Sequence, residues 1–389
     1  MTSNPSTALR PLSPATSRRA ASGLLAPLAL AAACLALLAP SAHAAPPTDF
    51  VGTQAFGGPT DAQLARLGKA KVRVFRAQMG WATVESQKPT GCTSSACSKH
   101  TYDWRRYDRM FESAASNGVR ILPVLLGSPR WAVSDERWVP VRGKPGYRDW
   151  KRQAFYDFAK AAARRYGPNG AFWAERASLG KRTPGSVRAR YWQVWNEPNL
   201  KNYWWNKPSP SEYAHLLRNT APALKRGGGS SVLVVAAGLP WSQYAPMKPP
   251  EFIQKMFASR ATADIVAIHP YGKTPNSVMS GVRDARRAAK SRPLWLTEFG
   301  WSSSGPSSTF RVSESTQARY LRETYRKLLA ERSSLGIHGA VWFNLADKRP
   351  PSSSQNAWYY HTGLFRTSGA HKRSWKAMNC VTGAGTCSY

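Results

Sequence analysis

The chain has 389 residues, of which 42% are hydrophobic and 11% aromatic, enough apolar side chain for a sizeable core and too much for a disordered chain. Lysine and arginine total 55 against 21 acidic residues, a formal net charge of +34. A field of that sign concentrates anionic partners such as acidic polysaccharide, cell-wall polymer or acidic membrane surface. No nucleic-acid motif accompanies it, so no specific nucleic acid is expected.

The first segment reads as an export signal. Arg10, Arg18 and Arg19 precede an apolar run from Leu24 to Leu38, Pro40 breaks it, and Ala42-His43-Ala44 offers a small-x-small cleavage pattern. The run is too short and alanine-rich for a retained span, and no later run is long enough to cross a bilayer. Ser17-Arg18-Arg19 is only a fragment of a twin-arginine signal. Cys34 lacks a leucine three residues before it and apolar sequence continues past it, which argues against a lipid anchor. The expectation is a cleaved signal over 1–44, secretion, and a single domain over 45–389. That domain keeps Cys92, Cys97, Cys380 and Cys387, an even number that in an exported protein argues for disulfides. Of the three connectivities, Cys92–Cys97 with Cys380–Cys387 closes two small loops and is preferred.

Strands and helices then alternate. Strands are expected over 50–56, 71–79, 119–126, 191–195, 232–237, 264–271, 293–299 and 339–345, with helices over about 60–68, 102–117, 150–166, from 209, and over 314–329. Thr60 with Gln63, and Ser209 with Pro210 and Glu212, mark two helix starts. The polar loop 85–100 leaves a strand end, and Trp131 and Trp138 are candidates to line a cleft. Loop 201–207 carries Tyr203, Trp204 and Trp205, too many aromatics for a polar loop unless at least one is a sugar-stacking platform.

Two stretches carry the chemistry. Tyr191 to Trp195 is a strand that runs into Asn196-Glu197-Pro198. Proline cannot donate to a ladder, so Glu197 is left at the strand's C-terminal lip. Trp192, Trp195, Trp204 and Trp205 crowd it. Desolvation there raises a carboxyl pKa, as a general acid requires. Residues 293–302 repeat the arrangement and end their strand on Glu298. Paired carboxyl groups at the ends of two buried strands suit a βα barrel and glycoside hydrolysis.

Trp-Asn-Glu-Pro (195–198) and Leu-Thr-Glu-Phe-Gly (296–300) resemble the acid/base and nucleophile signatures of clan A retaining glycoside hydrolases, with parts similar to families 39 and 5. The resemblance implies an α/β fold, a (β/α)8 TIM barrel covering nearly all of the mature chain. It also implies that Glu197 is the acid/base and Glu298 the nucleophile. Arg76, with Trp81 five residues on, would orient the nucleophile, and Asn196 would donate to the sugar 2-hydroxyl. In His269-Pro270-Tyr271, Tyr271 would hold Glu298 and His269 would touch the sugar. Trp342 would floor the subsite of the cleaved sugar. The implied activity is double-displacement hydrolysis of an oligosaccharide or polysaccharide, an anionic polysaccharide among the candidates, by a monomer with no cofactor and no metal. Two rivals remain: an inactive barrel docking on anionic cell-wall glycans, and a transglycosylase.

Overall fold

The computed structural model of the protein describes residues 46–135, 147–181, 183–204 and 207–387. The expected signal segment, Trp138 and Trp205 lie outside these residues. In chain order the elements are β1 (Val51–Gln54), α1 (Asp61–Lys69), β2 (Val74–Gly80), the one-turn α2 (Trp81–Val84), β3 (Thr90–Cys92), β4 (Cys97–Lys99), α3 (Arg105–Ser116), β5 (Arg120–Leu126), α4 (Asp149–Tyr166), α5 (Ala171–Ser178) and β6 (Tyr191–Val194). There follow α6 (Pro210–Gly228), β7 (Leu233–Val235), β8 (Leu239–Pro240), α7 (Pro249–Ala258), β9 (Val266–His269), α8 (Pro275–Ala289), β10 (Leu294–Phe299), α9 (Glu314–Ala330), β11 (Ile337–Trp342) and α10 (Arg373–Val381).

Nine strands form one parallel sheet in the order β7-β6-β5-β2-β1-β11-β10-β9-β8. Parallel neighbours need a crossover, and the helices between successive strands supply it. The two ends of that order are consecutive in the chain. β8 pairs with β9, and Val235 of β7 bridges in parallel to Ile265, just ahead of β9. The sheet therefore curls round on itself as a barrel, with β7 and β8 as halves of one broken strand. The break replaces the continuous strand expected over 232–237, and only glycine fits between its halves. Gly238 lies against the His269 ring, where an added Cβ would stand 1.9 Å from Nε2.

Local sequence explains the elements. Thr60 and Gln63 close a reciprocal capping box on α1, and Ser209 accepts from the Glu212 amide with Pro210 in the first turn of α6. Strand side chains alternate between the two faces. Val74, Leu122, Tyr191, Ala267 and Trp295, from five strands, pack into a cluster of their own that floors the barrel. Two residues further along four of these strands come Arg76, Gln193, His269 and Thr297, all buried and all polar. The other strand face packs under the helices in the larger core, where Trp81, Trp192, Trp301 and Trp342 are fully buried.

The cysteines pair as expected. Cys92–Cys97 closes the β3–β4 hairpin, and Cys380–Cys387 ties the end of α10 to the C-terminal segment. Among the described residues no helix is long and apolar enough to cross a membrane.

Candidate active site

The polar layer sits where the strands end, and two breaks in alternation feed it. On β6, Gln193 faces inward, so strict alternation would turn Trp195 inward and Asn196 away. Trp195 and Glu197 instead adopt left-handed backbone, φ 70° and 45°. Such backbone costs on the order of 1 kcal/mol or more for a non-glycine residue and persists only where its surroundings impose it. Trp195 goes into the core and donates its indole N–H to the Tyr203 carbonyl at 2.8 Å, while Asn196 and Glu197 both turn to the site. The Glu197 amide donates to the Gly238 carbonyl at 3.2 Å. On β10, Thr297 faces inward, so its neighbour Glu298 belongs outside. A register shift between Leu296 and Phe299 in the pairing with β11 lets both point in.

Arg76 is the hub. Its guanidinium, 4% exposed, donates to Glu298 Oε1 at 2.7 Å, to Gln54 Oε1 at 2.5 Å, to Gln193 Oε1 at 2.7 Å and to Asn196 Oδ1 at 2.7 Å. Guanidinium has donors only, so the Asn196 amide oxygen must face it, and Nδ2 is left as the donor available to a ligand. Tyr271 donates its hydroxyl to Glu298 Oε2 at 2.8 Å. His269, fully buried, places Nδ1 2.7 Å from Glu197 Oε1 and Nε2 3.0 Å from Thr297 Oγ1. Gln193 Nε2 reaches the same Thr297 hydroxyl at 3.4 Å.

The two carboxyl groups therefore live in opposite environments. Burial is the largest influence on both and pushes each upward. At Glu298 the neighbouring His269 ring, the Arg76 guanidinium and hydrogen bonds from Tyr271 and Gln54 outweigh it, and its pKa falls below the ordinary value. At Glu197 burial wins. The His269 hydrogen bond pulls back, the neighbouring Glu298 carboxylate pushes the same way as burial, and the pKa rises above the ordinary value. One oxygen of each carboxylate and a ring nitrogen of His269 lie within 4.8 Å of one another. Those are donor types that hold divalent cations, but Arg76 already neutralises Glu298 at hydrogen-bond distance, and a cation there would meet the guanidinium.

Several expected site residues lie elsewhere or do other work. Trp204 is not a platform: it is 1% exposed and packs edge-on against Trp195 and Tyr213. The post-strand loop turns back onto α6, and the polar composition of its neighbours hid that. Trp342 is fully buried on the outer face of β11, against Phe299 and Trp301, with its indole N–H on the Thr362 carbonyl at 3.0 Å. The ring that reaches the site is one residue on: Phe343 lies edge-on to Tyr271, with centroids 6.2 Å apart. A one-residue error in a period-two element reverses the face. His269 spends both nitrogens on protein partners and has no exposed surface, so it positions Glu197 rather than touching a sugar. Trp81, fully buried, and Trp131, partly buried, pack around Glu85, whose carboxylate accepts the Trp81 indole N–H at 2.7 Å and whose backbone carbonyl accepts that of Trp131 at 3.2 Å. Gln54, Gln193, Thr297 and Gly238 were not foreseen. Gln193 alone left a signal, as a lone amide inside an otherwise apolar strand.

Residues 180–371 match the family model of the glycosyl hydrolase catalytic core. The match holds Glu197, His269, Tyr271 and Glu298 and leaves out β1, β2 and Arg76. No curated protein matches the chain by sequence. Among solved structures, a family 39 glycoside hydrolase from Bacteroides cellulosilyticus superposes with a TM-score of 0.57 at 19% identity, over 86% of this chain and 63% of its own. This chain thus spans less than two thirds of that protein. The GH53 catalytic domain of Ignisphaera aggregans gives 0.55 at 16% identity, over 88% of this chain and 98% of its own. A GH5_18 protein from Streptomyces cattleya, in complex with Manβ1-4GlcNAc, gives 0.56 at 15%, over 83% and 74%. At such identities the likeness is one of fold. The resemblance drawn from the two glutamate motifs holds for the barrel and for the catalytic core.

Proposed function

We propose that the protein is an exported, retaining glycosidase in which Glu298 is the nucleophile and Glu197 the general acid/base. The observation that carries this is the carboxylate pair: two strand ends present the groups within 4.8 Å, and their surroundings push the two pKa values apart, Glu298 downward and Glu197 upward. Carboxyls of inverting enzymes stand about 6.5–9.5 Å apart to admit a water, whereas about 5–5.5 Å suits direct attack. Environments that push two titratable groups apart assign their roles.

In the first step a Glu298 oxygen bonds to the anomeric carbon as the glycosidic C–O bond breaks, and the Glu197 proton goes to the leaving oxygen. Arg76 and Tyr271 keep one lone pair on each Glu298 oxygen engaged, which fixes the carboxylate's plane. Asn196 offers Nδ2 to the sugar. Once it has given up its proton, Glu197 is a carboxylate within reach of His269 Nδ1. It then takes a proton from water, whose oxygen bonds to the anomeric carbon and releases Glu298. Export is supported by the Arg-rich, Ala-rich leader and by two disulfides, which belong to oxidising compartments.

The test is proton NMR of the first product released from an aryl glycoside. The starting anomeric configuration is expected, and Glu298→Ala should abolish turnover. An inverted first product would sink the mechanism.

A further inference from the structure

We propose that the rim beside the catalytic pair is a subsite for an acidic sugar, a hexuronate unit of a longer glycan. The proposal rests on the glycosidase reading and names the substrate class of the same cleft. Among the described residues only four large hydrophobic side chains are more than a third exposed, and two of them, Phe56 and Tyr359, both 37% exposed, sit side by side here. Phe56, from the loop after β1, has its ring centroid 6.3 Å from Tyr359 and 5.8 Å from Tyr360, both from the loop after β11. The patch is continuous with the site. Phe56 packs edge-on to Phe343 at 5.5 Å, Phe343 to Tyr271 at 6.2 Å, and Tyr271 donates to Glu298. Rings left open to water beside a glycosidic centre offer flat apolar surface to the C–H face of a pyranose.

The charge around these rings selects the sugar. Lys348 holds its ammonium 5.4 Å from the Phe56 ring centroid and has no ion-pair partner among the described residues. Beyond Phe56, the Gly57–Asp61 loop borders a cleft of about 850 Å³ that runs between the ends of β2 and β5 and α3. Arg106 and Arg109 line it, both exposed. Among the described residues Arg106 is tied only to the Gly57 carbonyl, at 2.7 Å, and Asp61 is the acidic side chain among the lining residues. A neutral glycan would leave these three cations with nothing to gain from it. A sugar laid along the open side of this aromatic patch, beside Phe56 and Tyr359, would bring a C6 carboxylate within reach of the Lys348 ammonium, which sits over the Phe56 ring, and the next units would enter the cleft under Arg106 and Arg109. A net positive rim of this kind also speeds the approach of a polyanion.

The experiment uses the mature protein carrying Glu298→Gln, so that no glycan is turned over, titrated calorimetrically at about 0.15 M salt, where distant charges are screened. The probes are tetrasaccharides of galacturonate, glucuronate and mannuronate, their neutral counterparts, and a linear polyphosphate of matched charge. At least one uronate is expected to bind about tenfold or more tighter than its neutral counterpart, about 1.4 kcal/mol. Phe56→Ala should weaken uronate and neutral binding alike. Lys348→Gln should weaken the uronate alone. Lys348 is exposed, so Lys348→Gln should leave the melting temperature unchanged, and Phe56→Ala, which gives up ring contacts, is titrated well below its own melting temperature. Uronates that bind no better than neutral sugars would overturn the proposal. So would uronate binding that polyphosphate equals and Phe56→Ala leaves intact, since that is attraction to bulk charge only. Hydrolysis of aryl glycosides by the unsubstituted protein is read separately: turnover there without uronate preference refutes the subsite and leaves the glycosidase standing.

Discussion

Removing the Tyr271 hydroxyl probes the catalytic pair most cleanly. Tyr271→Phe deletes one oxygen and leaves the ring among Trp358, Phe310 and Phe343, with centroids 5.1, 5.9 and 6.2 Å away, so little packing is lost. The hydroxyl donates to Glu298 Oε2 at 2.8 Å, and a hydrogen bond to a charged acceptor contributes about 1.5–3 kcal/mol. Loss of that interaction corresponds to about 10- to 100-fold in kcat/KM if it is needed to hold the reactive ionised carboxylate. The sign on the pH axis follows from the same bond. Glu298 has its pKa held below the ordinary value and must be ionised to attack, so activity rises as pH passes upward through that value. Without the donor the ionised form is less favoured, and the acidic limb of kcat/KM moves to higher pH. The alkaline limb, set by the raised Glu197, should stay close to where it was. The assay is a pH profile on an aryl glycoside, native against Tyr271→Phe. If kcat/KM drops by the same factor at every pH and the acidic limb does not move, Tyr271 is merely packing, and the role given to it is wrong.

Glu197 has its pKa raised on folding, so its ionisation opposes the folded state as pH rises through the folded value, and below the ordinary carboxyl range it costs nothing. Glu197→Gln should therefore melt higher at neutral pH by about 2 °C for a gain on the order of 1 kcal/mol, with no difference at low pH, as read by calorimetry across pH. Trp342→Ala empties a fully buried indole site and should cost about 3–5 kcal/mol of stability, while Phe343→Ala should act mainly on KM and kcat; the reverse pattern would refute the assigned faces of β11. Lys372, 1% exposed, binds Asp347, Ser303 and the His361 carbonyl, and burial lowers its pKa although Asp347 pulls back. Lys372→Met should cost about 3–5 kcal/mol in denaturant titration because it leaves Asp347 unpaired. Each disulfide closes a short loop, of sequence separation 5 and 7, so reduction should remove about 2 kcal/mol apiece on the loop-entropy account.

The barrel was legible because strands buried on both faces read as apolar runs, and the helices between them carry explicit caps such as Thr60 and Ser209. The carboxylates were legible because each ends such a run beside a breaker. Side-chain direction was not. Trp342 and Phe343 are both aromatic, and composition does not say which of two neighbours faces inward. Trp204 failed for a related reason, since loop residues carry no periodicity to place them. Thr297 passes as an ordinary strand residue, and the lone amide of Gln193 has no readable role, until β2, β6, β9 and β10 come together, because their partners are more than 25 residues away in sequence.

These misses share a cause with the site itself. A regular inward-facing strand places one side chain in every two at the barrel's mouth, and no regular strand puts adjacent residues there together. The site requires adjacency: Asn196 beside Glu197 to meet Arg76 and His269, and Thr297 beside Glu298 to meet His269 and Arg76. Both strands satisfy it by abandoning the ladder at that point, β6 through two left-handed residues and β10 through a register shift. The departures are stable because the groups they deliver are bound from several sides, Arg76 alone taking up four acceptors. Replacing Arg76 with a cation that lacks the planar fork, as in Arg76→Lys, would leave acceptors on Gln54, Gln193, Asn196 or Glu298 unpaired. The irregular backbone and the guanidinium are therefore one device, and either should fail without the other.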